Sequence, residues 1–364
     1  MEMGEYYLFH EMDCMYDCEY CYLQYYFQTK VPVIFINRDE ILMKIEGILK
    51  THPHPYFHVG EVCDALAFDD LTEFSLDIAR LFSKYKDGFI EFRTKSTNIG
   101  NLLSIKNPPK NIIPSWTFSP ERIARSIEHK APSFRERLMA AKRCQEAGYT
   151  IGVRLDPMII YDGWEKDYRE MADEIFSVLN SRKIDYVSLG TVKPHKLLID
   201  VIRKRSSESP ILLGELVPSN DGKYKYLKFQ RVDVYRKMIS WIKDLDNRLE
   251  IKLSMESEEV HSLVFNRDLK EESKMQPPIP LKNFYVPILE SVIELGGKAK
   301  VEDILPRVEE KMKNIIANYP KWKDRAEWAG MDLMRSGYLS YTYPVTVWEI
   351  TESGKKFCEE LKKK

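Results

Sequence analysis

Three cysteines near the start of the chain are the residues whose type and spacing could do chemistry. Cys14, Cys18 and Cys21 follow the pattern C-x3-C-x2-C. Three thiolates this close together can each bind one iron of a 4Fe–4S cubane. The fourth iron then has no protein ligand, whereas electron-transfer clusters usually take four cysteines. An iron without a protein ligand can bind and activate a small molecule, so the spacing predicts a catalytic iron–sulfur cluster.

Two other uses of these cysteines have to be weighed against a cluster. A tetrahedral zinc site could use the same three thiolates with His10 as the fourth ligand, because the spacings of zinc and iron–sulfur motifs overlap. A disulfide framework is not expected, because the chain has six cysteines in 364 residues and no apolar signal peptide. The sequence therefore favours a reducing, cytoplasmic compartment.

Length and composition limit the remaining possibilities. A chain of 364 residues with 44% hydrophobic residues can bury a sizeable core, and two domains are expected. Its 55 basic and 56 acidic residues give a net charge of −1, so the overall charge does not indicate nucleic acid as a partner. No apolar run approaches the roughly 20 residues that a transmembrane helix needs. A membrane role is therefore not expected.

Strand-like segments alternate with amphipathic helical patterns through the first part of the chain. Six such units predict an α/β fold with an open, partial (β/α)6 barrel, in which the residues after each strand gather at one face. The polar residues fit this arrangement, because the cysteine loop, Glu61 and Lys95 follow the first three predicted strands and Thr117 stands at the end of the fourth. A zinc knuckle predicts no such distribution. The predicted strands are 6–10, 56–60, 89–94, 113–118, 151–155 and 186–190, and the clearest predicted helices are 38–50, 71–84, 133–148 and 166–180.

The cysteine spacing, with Tyr20 directly before the last cysteine, resembles the radical S-adenosylmethionine (SAM) superfamily. The resemblance implies that SAM chelates the free iron through its amino and carboxylate groups. It further implies reductive cleavage of SAM to a 5′-deoxyadenosyl radical, with an external electron donor such as a ferredoxin or flavodoxin.

The residues that follow the predicted strands offer contacts for SAM. Glu61 could accept the amino group of SAM and Lys95 could pair with its carboxylate, unless both are ordinary surface charges. Thr117 and Ser119 are candidates for hydrogen bonds to the ribose or the methionine. Ser119 precedes Pro120 and is equally suited to cap the helix that follows. Tyr20 would lie against the adenine or simply pack the loop.

A narrower resemblance extends over roughly residues 5–265. The stretch from Cys18 to Gln24 resembles the C-x-Y-C-Y-L-Q signature of the spore photoproduct lyase family. Further matches follow in family order, among them the runs at 57–72, 93–95, 116–123, 135–142, 147–149 and 157–168. This resemblance implies repair of a thymine dimer in DNA. The radical abstracts a hydrogen atom from the lesion, the linkage fragments, and a cysteine returns a hydrogen atom.

The position of that hydrogen-donor cysteine is occupied by Glu61, and Cys63 lies two residues later. On an extended strand end, Cys63 would point the same way as Glu61 but would be shifted by about 6.6 Å. Cys63 is therefore a candidate hydrogen donor, or else a buried thiol that only packs. Tyr22, like Tyr20, matches a position where the lyase has a tyrosine implicated in radical relay. Cys63 and Tyr22 are thus the two candidate catalytic residues.

The last part of the chain predicts a separate domain. Residues 268–281 predict a linker, because their charges resist burial and their prolines stop helices. The predicted organisation is a radical SAM partial barrel over 1–267, the linker over 268–281 and a second domain over 282–364. Three predicted helices, a hairpin and a last helix describe a winged helix-turn-helix. Segments 325–339 and 347–354 resemble the N-terminal domain of Mrr-type restriction proteins, which implies an association with DNA-targeting systems.

The charge of this second domain gives little support to DNA binding. From residue 276 onward the chain has 15 basic and 13 acidic residues, whereas nonspecific DNA binding usually requires a clearer basic face. Dimerisation or protein docking is an alternative use of a winged helix. One face of the domain could still be basic. Beside Trp322 it could carry four basic residues, Lys321, Lys323, Arg325 and Arg335.

Three functions are compatible with the sequence. The first is a radical SAM enzyme that acts on nucleic acid, with the winged helix delivering the substrate. The second is a radical SAM enzyme that modifies a protein or peptide recognised through the winged helix. The third is a non-catalytic iron–sulfur regulator that binds DNA. The residues and resemblances favour the first function.

Overall fold

The computed structural model describes residues 4–27, 31–219, 221–265, 279–317, 322–342 and 347–362. The chain divides into two compact units, one within Glu2–Arg267 and the other within Asp268–Lys364. Most of the predicted linker over 268–281 lies outside the described residues, so its assignment as a linker stays a prediction.

Strands alternate with helices along most of the first unit. Its strands are β1 (Glu5–Leu8), β2 (Glu11–Met12), β3 (Val33–Ile34), β4 (Tyr56–Val59), β5 (Phe89–Thr94), β6 (Ile112–Thr117), β7 (Ile151–Met158), β8 (Ile184–Thr191), β9 (Leu216–Pro218), β10 (Tyr224–Tyr226) and β11 (Ile251–Leu253). Its helices are α1 (Leu23–Tyr26), α2 (Arg38–Thr51), α3 (Asp69–Thr72), α4 (Phe74–Phe82), α5 (Gly100–Ser104), α6 (Glu121–Ile127), α7 (Phe134–Glu146), α8 (Trp164–Val178), α9 (Lys196–Arg205), α10 (Pro210–Leu213), α11 (Lys228–Leu245) and α12 (Glu258–Phe265), with a 3-10 turn at Ser181–Lys183.

A parallel sheet of seven strands, in the order β1-β4-β5-β6-β7-β8-β11, forms the centre of this unit. The predicted α/β class with a partial barrel is confirmed, and all six predicted strands are present. The seventh strand, β11, pairs in parallel with β8. It was not predicted because its three residues are too few to show an alternating pattern.

The two faces of the sheet differ in chemistry because successive side chains of a strand point to opposite faces. One face is apolar, with residues such as Phe57 and Phe92 buried in the main hydrophobic core. The other face, which we call the inner face, carries polar side chains such as His58, Glu91 and Arg154, all of which line one cavity. A charged inner face indicates that this side of the sheet is built for a ligand rather than for packing.

The predicted helix over 71–84 is wrong in one respect, because the structure has two helices there. Helix α3 ends before Glu73, which has a left-handed backbone with φ of 51°. The buried Asp69 carboxylate stabilises this break, since it accepts hydrogen bonds from the backbone N–H (2.9 Å) and the hydroxyl (2.6 Å) of Ser75. The other long helices form where they are predicted. Helix α7 begins with a capping box between Ser133 and Glu136.

The second unit has its own hydrophobic core, which includes Phe284, Leu289, Val308 and Trp348. The order of its elements agrees with the expected three helices, hairpin and last helix, with one short strand added between the first two helices. Its three strands form an antiparallel sheet in the order β12-β14-β13. The elements are a 3-10 turn at Leu281–Phe284, α13 (Tyr285–Glu294), β12 (Lys298–Lys300), α14 (Val301–Ile316), α15 (Trp322–Arg335), β13 (Leu339–Thr342), β14 (Val347–Ile350) and α16 (Glu352–Lys362).

The residues that could line one basic face of the second unit are only partly available. Trp322 is buried in the core of the unit, and the Arg325 guanidinium donates to the Ile279 carbonyl at 3.0 Å. Lys323 is exposed, with its Nζ 5.7 Å from the centre of the Trp322 ring. Lys321 lies outside the described residues. No helix among the described residues is long and apolar enough to span a membrane.

Gly152 on β7 allows Tyr186 and Ser115 to approach each other on the inner face. A Cβ at position 152 would lie 2.9 Å from both Ser115 Cβ and Tyr186 Cζ. We therefore expect Gly152→Ala to lower the free energy of unfolding by about 1–3 kcal/mol through overpacking. Urea unfolding would measure this loss. Gly100→Ala is the matched control, because nothing lies within 4 Å of the added Cβ. Equal stability of the two variants would contradict the packing argument.

Candidate active site

The three cysteines of the motif lie together in the loop between β2 and α1. The loop turns tightly, because Cys21 N–H donates to the Cys18 carbonyl and Gln24 N–H to the Cys21 carbonyl, each at 3.1 Å. Burial, followed by Asp64, raises the pKa of the Cys14 thiol, and the neighbouring Cys21 and Cys18 contribute further. All six cysteines of the chain are free thiols. The three motif thiols therefore form no disulfide and are close enough to influence one another.

The segment that follows α6 holds the backbone of this loop. Cys18 forms an isolated antiparallel bridge with Glu128, and Glu19 N–H donates to the Ile127 carbonyl at 2.9 Å. The Glu19 carboxylate also lies 2.8 Å from His129 Nε2. These contacts fix the middle cysteine against an element more than a hundred residues away in sequence.

Glu128 and Arg137 form an ion pair whose side chains are both 0% exposed. The Arg137 guanidinium donates to Glu128, to the Thr117 carbonyl (3.1 Å) and to the Pro132 carbonyl (2.7 Å). The other Glu128 oxygen accepts hydrogen bonds from the Tyr20 hydroxyl and, at 2.9 Å, from the Ser119 hydroxyl. One buried carboxylate thus joins the cysteine loop, the end of β6 and the start of α7.

The charges around Glu128 determine its protonation state. Burial alone would raise the pKa of Glu128, but Arg137, Lys95 and the hydrogen bond from Tyr20 lower it below its usual value. Burial alone would lower the pKa of Lys95, but Cys18 and Glu128 raise it. Both groups are therefore charged at neutral pH. Burial raises the pKa of Tyr20 well above its usual value, so Tyr20 keeps the proton that it donates to Glu128.

Lys95 and Tyr20, both predicted to bind the cofactor, are neighbours. The Lys95 ammonium lies 5.3 Å from the centre of the Tyr20 ring. The backbone N–H of Lys95 donates to the buried Asp64 carboxylate at 2.6 Å, and that carboxylate also accepts from the Thr94 hydroxyl at 2.7 Å. Asp64 thereby connects the turn after β4 to the end of β5, next to the cysteine loop.

The turn after β4 differs from the extended strand end that the sequence suggested. The strand ends at Val59, and Gly60 has a positive φ of 101°. A Cβ on Gly60 would lie 2.5 Å from the Arg93 carbonyl, so the close approach requires glycine. The expectation that Cys63 follows Glu61 along an extended strand is therefore wrong. The Glu61 carboxylate instead accepts a 2.9 Å hydrogen bond from Arg93.

Cys63 lies in this turn, and Tyr22, directly before α1, lies close to it. Burial, followed by the charges of Glu11, Asp64 and Cys14, raises the pKa of the Cys63 thiol well above its usual value. The Tyr22 hydroxyl donates to the Glu61 carbonyl at 2.7 Å. Burial and nearby groups, Cys63 among them, also raise the pKa of Tyr22. The structure therefore brings the two candidate catalytic residues together, and both keep their protons.

Thr117 and Ser119 are buried at and just after the end of β6 rather than at an open surface. Thr117 on β6 pairs in register with Arg154 on β7. The side chains of Thr117 and Ser119 are both buried. The alternative that Ser119 caps α6 is wrong. Pro120 occupies the N-cap position of the helix, and no side chain caps it. The Ser119 hydroxyl donates to Glu128 instead. Direct contacts of Thr117 and Ser119 with SAM stay predictions.

The structure does not support His10 as a fourth metal ligand. The His10 ring stacks on Phe74 at 4.2 Å, and its Nε2 lies 3.1 Å from Glu11. In the part of the chain that the structure describes, no three His, Cys, Asp or Glu side chains converge as the ligands of a single metal ion do. Each thiolate of a cubane binds a different iron, so a cluster does not require such convergence. Three free thiols beside the half-buried Lys95 ammonium fit a 4Fe–4S cluster with an anionic ligand.

Four residues of this site had no assigned role in the sequence: Asp64, Arg93, Glu128 and Arg137. Arg137 had a signal that could have identified it. It lies between Phe134, Leu138 and Ala141, which form the buried face of α7, and an arginine on such a face requires a buried partner. Glu128 gave no comparable signal, because it follows the end of a helix in an irregular segment.

Comparison with known proteins identifies the family. The sequence model of spore photoproduct lyase matches residues 3–257. The chain belongs to the spore photoproduct lyase family, within the radical SAM superfamily. Spore photoproduct lyase of Clostridium acetobutylicum is 26% identical over 176 residues, which is 48% of this chain and 52% of that protein. The lyase of a Geobacillus species is 27% identical over 225 residues, 59% of this chain and 63% of that protein. The chain spans about half the length of the curated lyases from Clostridium and Bacillus subtilis.

Solved structures of spore photoproduct lyase share the fold. An alanine variant of one of its cysteines superposes with a TM-score of 0.63 at 20% identity, covering 68% of this chain and 76% of that chain. A double variant with bound AdoMet and dinucleoside spore photoproduct superposes with a TM-score of 0.59 at 21% identity, covering 67% and 74% of the two chains.

The Glu128–Arg137 pair makes a prediction about stability. Glu128→Gln leaves Arg137 as a buried charge without a counter-ion, so we expect a loss of about 3–5 kcal/mol in the free energy of unfolding. Because its pKa is lowered in the fold, Glu128 stabilises the protein above its unfolded pKa, and that contribution is lost as the pH falls through the folded pKa. The difference between variant and wild type should therefore shrink in acid.

Urea unfolding at neutral and acidic pH would measure these changes. Arg135→Ala is the matched control on the same helix, because Arg135 pairs with Glu174 at 3.2 Å on the surface. Exposed pairs contribute about 0–1 kcal/mol. A Glu128→Gln variant no less stable than Arg135→Ala would show that the buried pair is not the anchor of the loop.

Proposed function

We propose that the protein is a radical SAM enzyme that abstracts a hydrogen atom from a nucleic-acid substrate, with repair of a DNA photolesion as the favoured reaction. The observation that carries the proposal is the loop of three free thiols beside the half-buried, charged Lys95 at the end of a parallel sheet, in a chain of the spore photoproduct lyase family. Cys14, Cys18 and Cys21 would hold a 4Fe–4S cluster. With SAM bound, that cluster supplies a 5′-deoxyadenosyl radical.

The side chains around the loop suit the binding of a zwitterionic amino-acid group. Lys95 is charged and partly shielded from water, so its ammonium would pair strongly with the carboxylate of SAM. Glu61 is 41% exposed and bound by a single 2.9 Å contact to Arg93, so its carboxylate can turn toward an amino group. The Tyr20 ring, held by Glu128, offers a flat surface for the adenine.

Cys63 would return a hydrogen atom to the substrate radical. Donation of a hydrogen atom requires the protonated thiol, and burial favours that form at Cys63. Tyr22 would take part in the same relay, since its hydroxyl is fixed on the Glu61 carbonyl at 2.7 Å. Both groups act by giving up hydrogen, so neither has to be ionised.

The second unit would deliver the substrate as a winged helix. Its order of helix, strand, two helices, two strands and a helix, with an antiparallel sheet of three strands, supports that assignment. The alternatives are a winged helix that recognises a protein or peptide substrate, and a regulator without catalysis. A cytoplasmic location and electron supply from a ferredoxin or flavodoxin complete the proposal.

The first test of this function uses protein reconstituted with iron and sulfide without oxygen. The wild type should bind about four irons per chain, convert SAM to 5′-deoxyadenosine after reduction, and alter the product profile of ultraviolet-irradiated DNA. Cys21→Ala should abolish the cluster and the deoxyadenosine. Cys144→Ala is the control, because Cys144 is a buried thiol on α7 and should leave both intact. One equivalent of zinc without iron would refute the proposal, whereas deoxyadenosine without a change in DNA would redirect it to a peptide substrate.

The second test separates radical formation from hydrogen return. Cys63→Ala should still form 5′-deoxyadenosine, within about twofold of the wild-type yield, because initiation and quenching are different steps. The normal product should fall by roughly tenfold or more and be replaced by a radical adduct or a stalled species. Mass spectrometry of the products would measure this change, with Cys144→Ala again as control. A wild-type product at a wild-type rate would exclude Cys63 as the donor.

A further inference from the structure

A shallow depression at the surface of the cysteine loop has no part in the roles described above. Asp17 and Glu19, the neighbours of Cys18 on either side, both line it. Its other walls come from α9 and from the segment that follows α6. Because both sequence neighbours of Cys18 reach the depression, the backbone of this predicted cluster ligand lies next to it.

The two acidic groups of the depression are paired within it. The Arg205 guanidinium donates to both carboxylate oxygens of Asp17, at 2.9 and 2.7 Å. This hydrogen bonding lowers the pKa of Asp17, so the carboxylate is charged and Arg205 balances it. The Glu19 carboxylate lies 2.8 Å from His129 Nε2. Neither acid is therefore left to repel an acidic partner.

Two exposed lysines lie on opposite sides of the depression. Lys130 directly follows the segment after α6, and its charge acts on Asp17. Lys204 belongs to the basic last turn of α9, next to Arg205. Among the described residues, neither lysine takes part in an ion pair. Glu208, three residues beyond the helix, is exposed too, so the two lysines rather than the overall charge are what this surface offers to an acidic partner.

The size of the depression determines how a partner can use it. Its volume is about 10 Å³, which is close to the space that one water molecule needs. No cofactor or large side chain can enter it, so a partner has to lie flat across the surface. The residues that line the depression do not line the cavity on the inner face of the sheet. A partner bound here therefore leaves that cavity open.

We propose that this surface docks a ferredoxin, a small acidic protein that carries one electron on an iron–sulfur cluster, with Lys130 and Lys204 as its contacts. The inference rests on the proposed function, because reductive cleavage of SAM takes one electron from outside the chain. The ferredoxin cluster is oxidised by one electron, and the cluster held by the cysteine loop is reduced by one. A ferredoxin holds its cluster under cysteine thiolates, so it inserts no group into the depression.

The two lysines suit a partner that has to leave after each transfer. Complementary charges at an interface speed up encounter and fix orientation more than they add affinity. Transient electron-transfer complexes accordingly have small interfaces, below about 1,200 Å². Docking against Asp17 and Glu19 places the partner next to the backbone of Cys18, which is the shortest covalent route from this surface to the cluster.

Isothermal titration calorimetry of the full-length, reconstituted protein with an oxidised two-cluster bacterial ferredoxin tests the docking. Lys130→Gln and Lys204→Gln combined should weaken binding by about three- to tenfold, as expected for the loss of two exposed ion pairs. Added salt should weaken binding of the wild type more than that of the double variant, because salt screens exposed charges.

Formation of 5′-deoxyadenosine gives the second measurement. With reduced ferredoxin as the electron source, the double variant should need about three- to tenfold more ferredoxin for half-maximal rate, and its rate at saturation should stay within about twofold of the wild type. With dithionite, which needs no docking surface, the variant and the wild type should react equally fast. A purely structural role of the lysines would lower the rate with both reductants.

The matched control combines Lys142→Gln and Lys166→Gln, which remove two lysines whose closest acids, Glu146 and Glu170, are each 3.8 Å away. It should change neither binding nor rate. A Lys130→Gln, Lys204→Gln variant that binds ferredoxin like the wild type, no binding of ferredoxin at all, or equal losses in the variant and the control would each overturn the proposal. Binding of a flavodoxin through the same lysines in preference to ferredoxin would overturn the choice of carrier.

The outcome is separable from that of the proposed function. Formation of 5′-deoxyadenosine with dithionite measures the radical chemistry in the absence of any partner protein. Failure of that reaction would refute the proposed catalysis, and calorimetry would still measure the docking of ferredoxin. Normal deoxyadenosine with dithionite, together with ferredoxin binding that does not depend on Lys130 and Lys204, would refute the docking surface alone.

Discussion

The cysteine loop depends on the buried ion pair between Glu128 and Arg137, because the loop has little regular structure of its own. The residues between β2 and α1 form no helix or strand that could fix three thiols. The position of the loop is set by Glu128. Its backbone forms a bridge with Cys18, and its carboxylate accepts a hydrogen bond from the Tyr20 hydroxyl. A buried ion pair stabilises a fold only when its remaining hydrogen-bonding groups are satisfied. That condition is met here, because backbone carbonyls accept the other guanidinium N–H groups and two hydroxyls donate to the second carboxylate oxygen.

A second buried carboxylate organises the inner face in the same way. The Glu91 carboxylate accepts hydrogen bonds from Arg93 on its own strand, Arg154 on β7 and Tyr186 on β8. It therefore connects strands that are not neighbours in the sheet. Arg93 and Arg154 lower the pKa of Glu91 against the effect of burial, the largest single influence. The space for this network comes from small residues in the row beside it, such as Gly152. Each carboxylate therefore fixes cationic side chains. Glu128 does so beside the cysteine loop, and Glu91 does so on the inner face of the sheet.

Much of the fold could be predicted from the sequence, because strands and helices leave periodic signals. The six longer strands and helices α2, α7 and α8 form close to their predicted positions. Strand β11 could not be predicted, since three residues carry no period. The break at Glu73 was missed because it depends on a side chain, Asp69, that bonds to the backbone after the break. The cysteines were identifiable from spacing alone, whereas Glu128 acts through contacts with segments far away in sequence, which a single sequence does not reveal.

Arg93 connects the two carboxylate-centred parts of the first unit, and this connection bears on how they work together. Its guanidinium binds Glu91 through Nε and Glu61 through Nη1, both at 2.9 Å. The carbonyl of Glu61 in turn accepts the Tyr22 hydroxyl, and Tyr22 follows Cys21 directly. A continuous chain of polar contacts therefore runs from the cavity to the cysteine loop. Arg93 is thus a hydrogen-bond partner of two carboxylates, Glu91 on the inner face and Glu61 next to the cysteine loop. Glu61 therefore cannot leave Arg93 without changing the hydrogen bonding of a guanidinium that also holds Glu91 on the inner face.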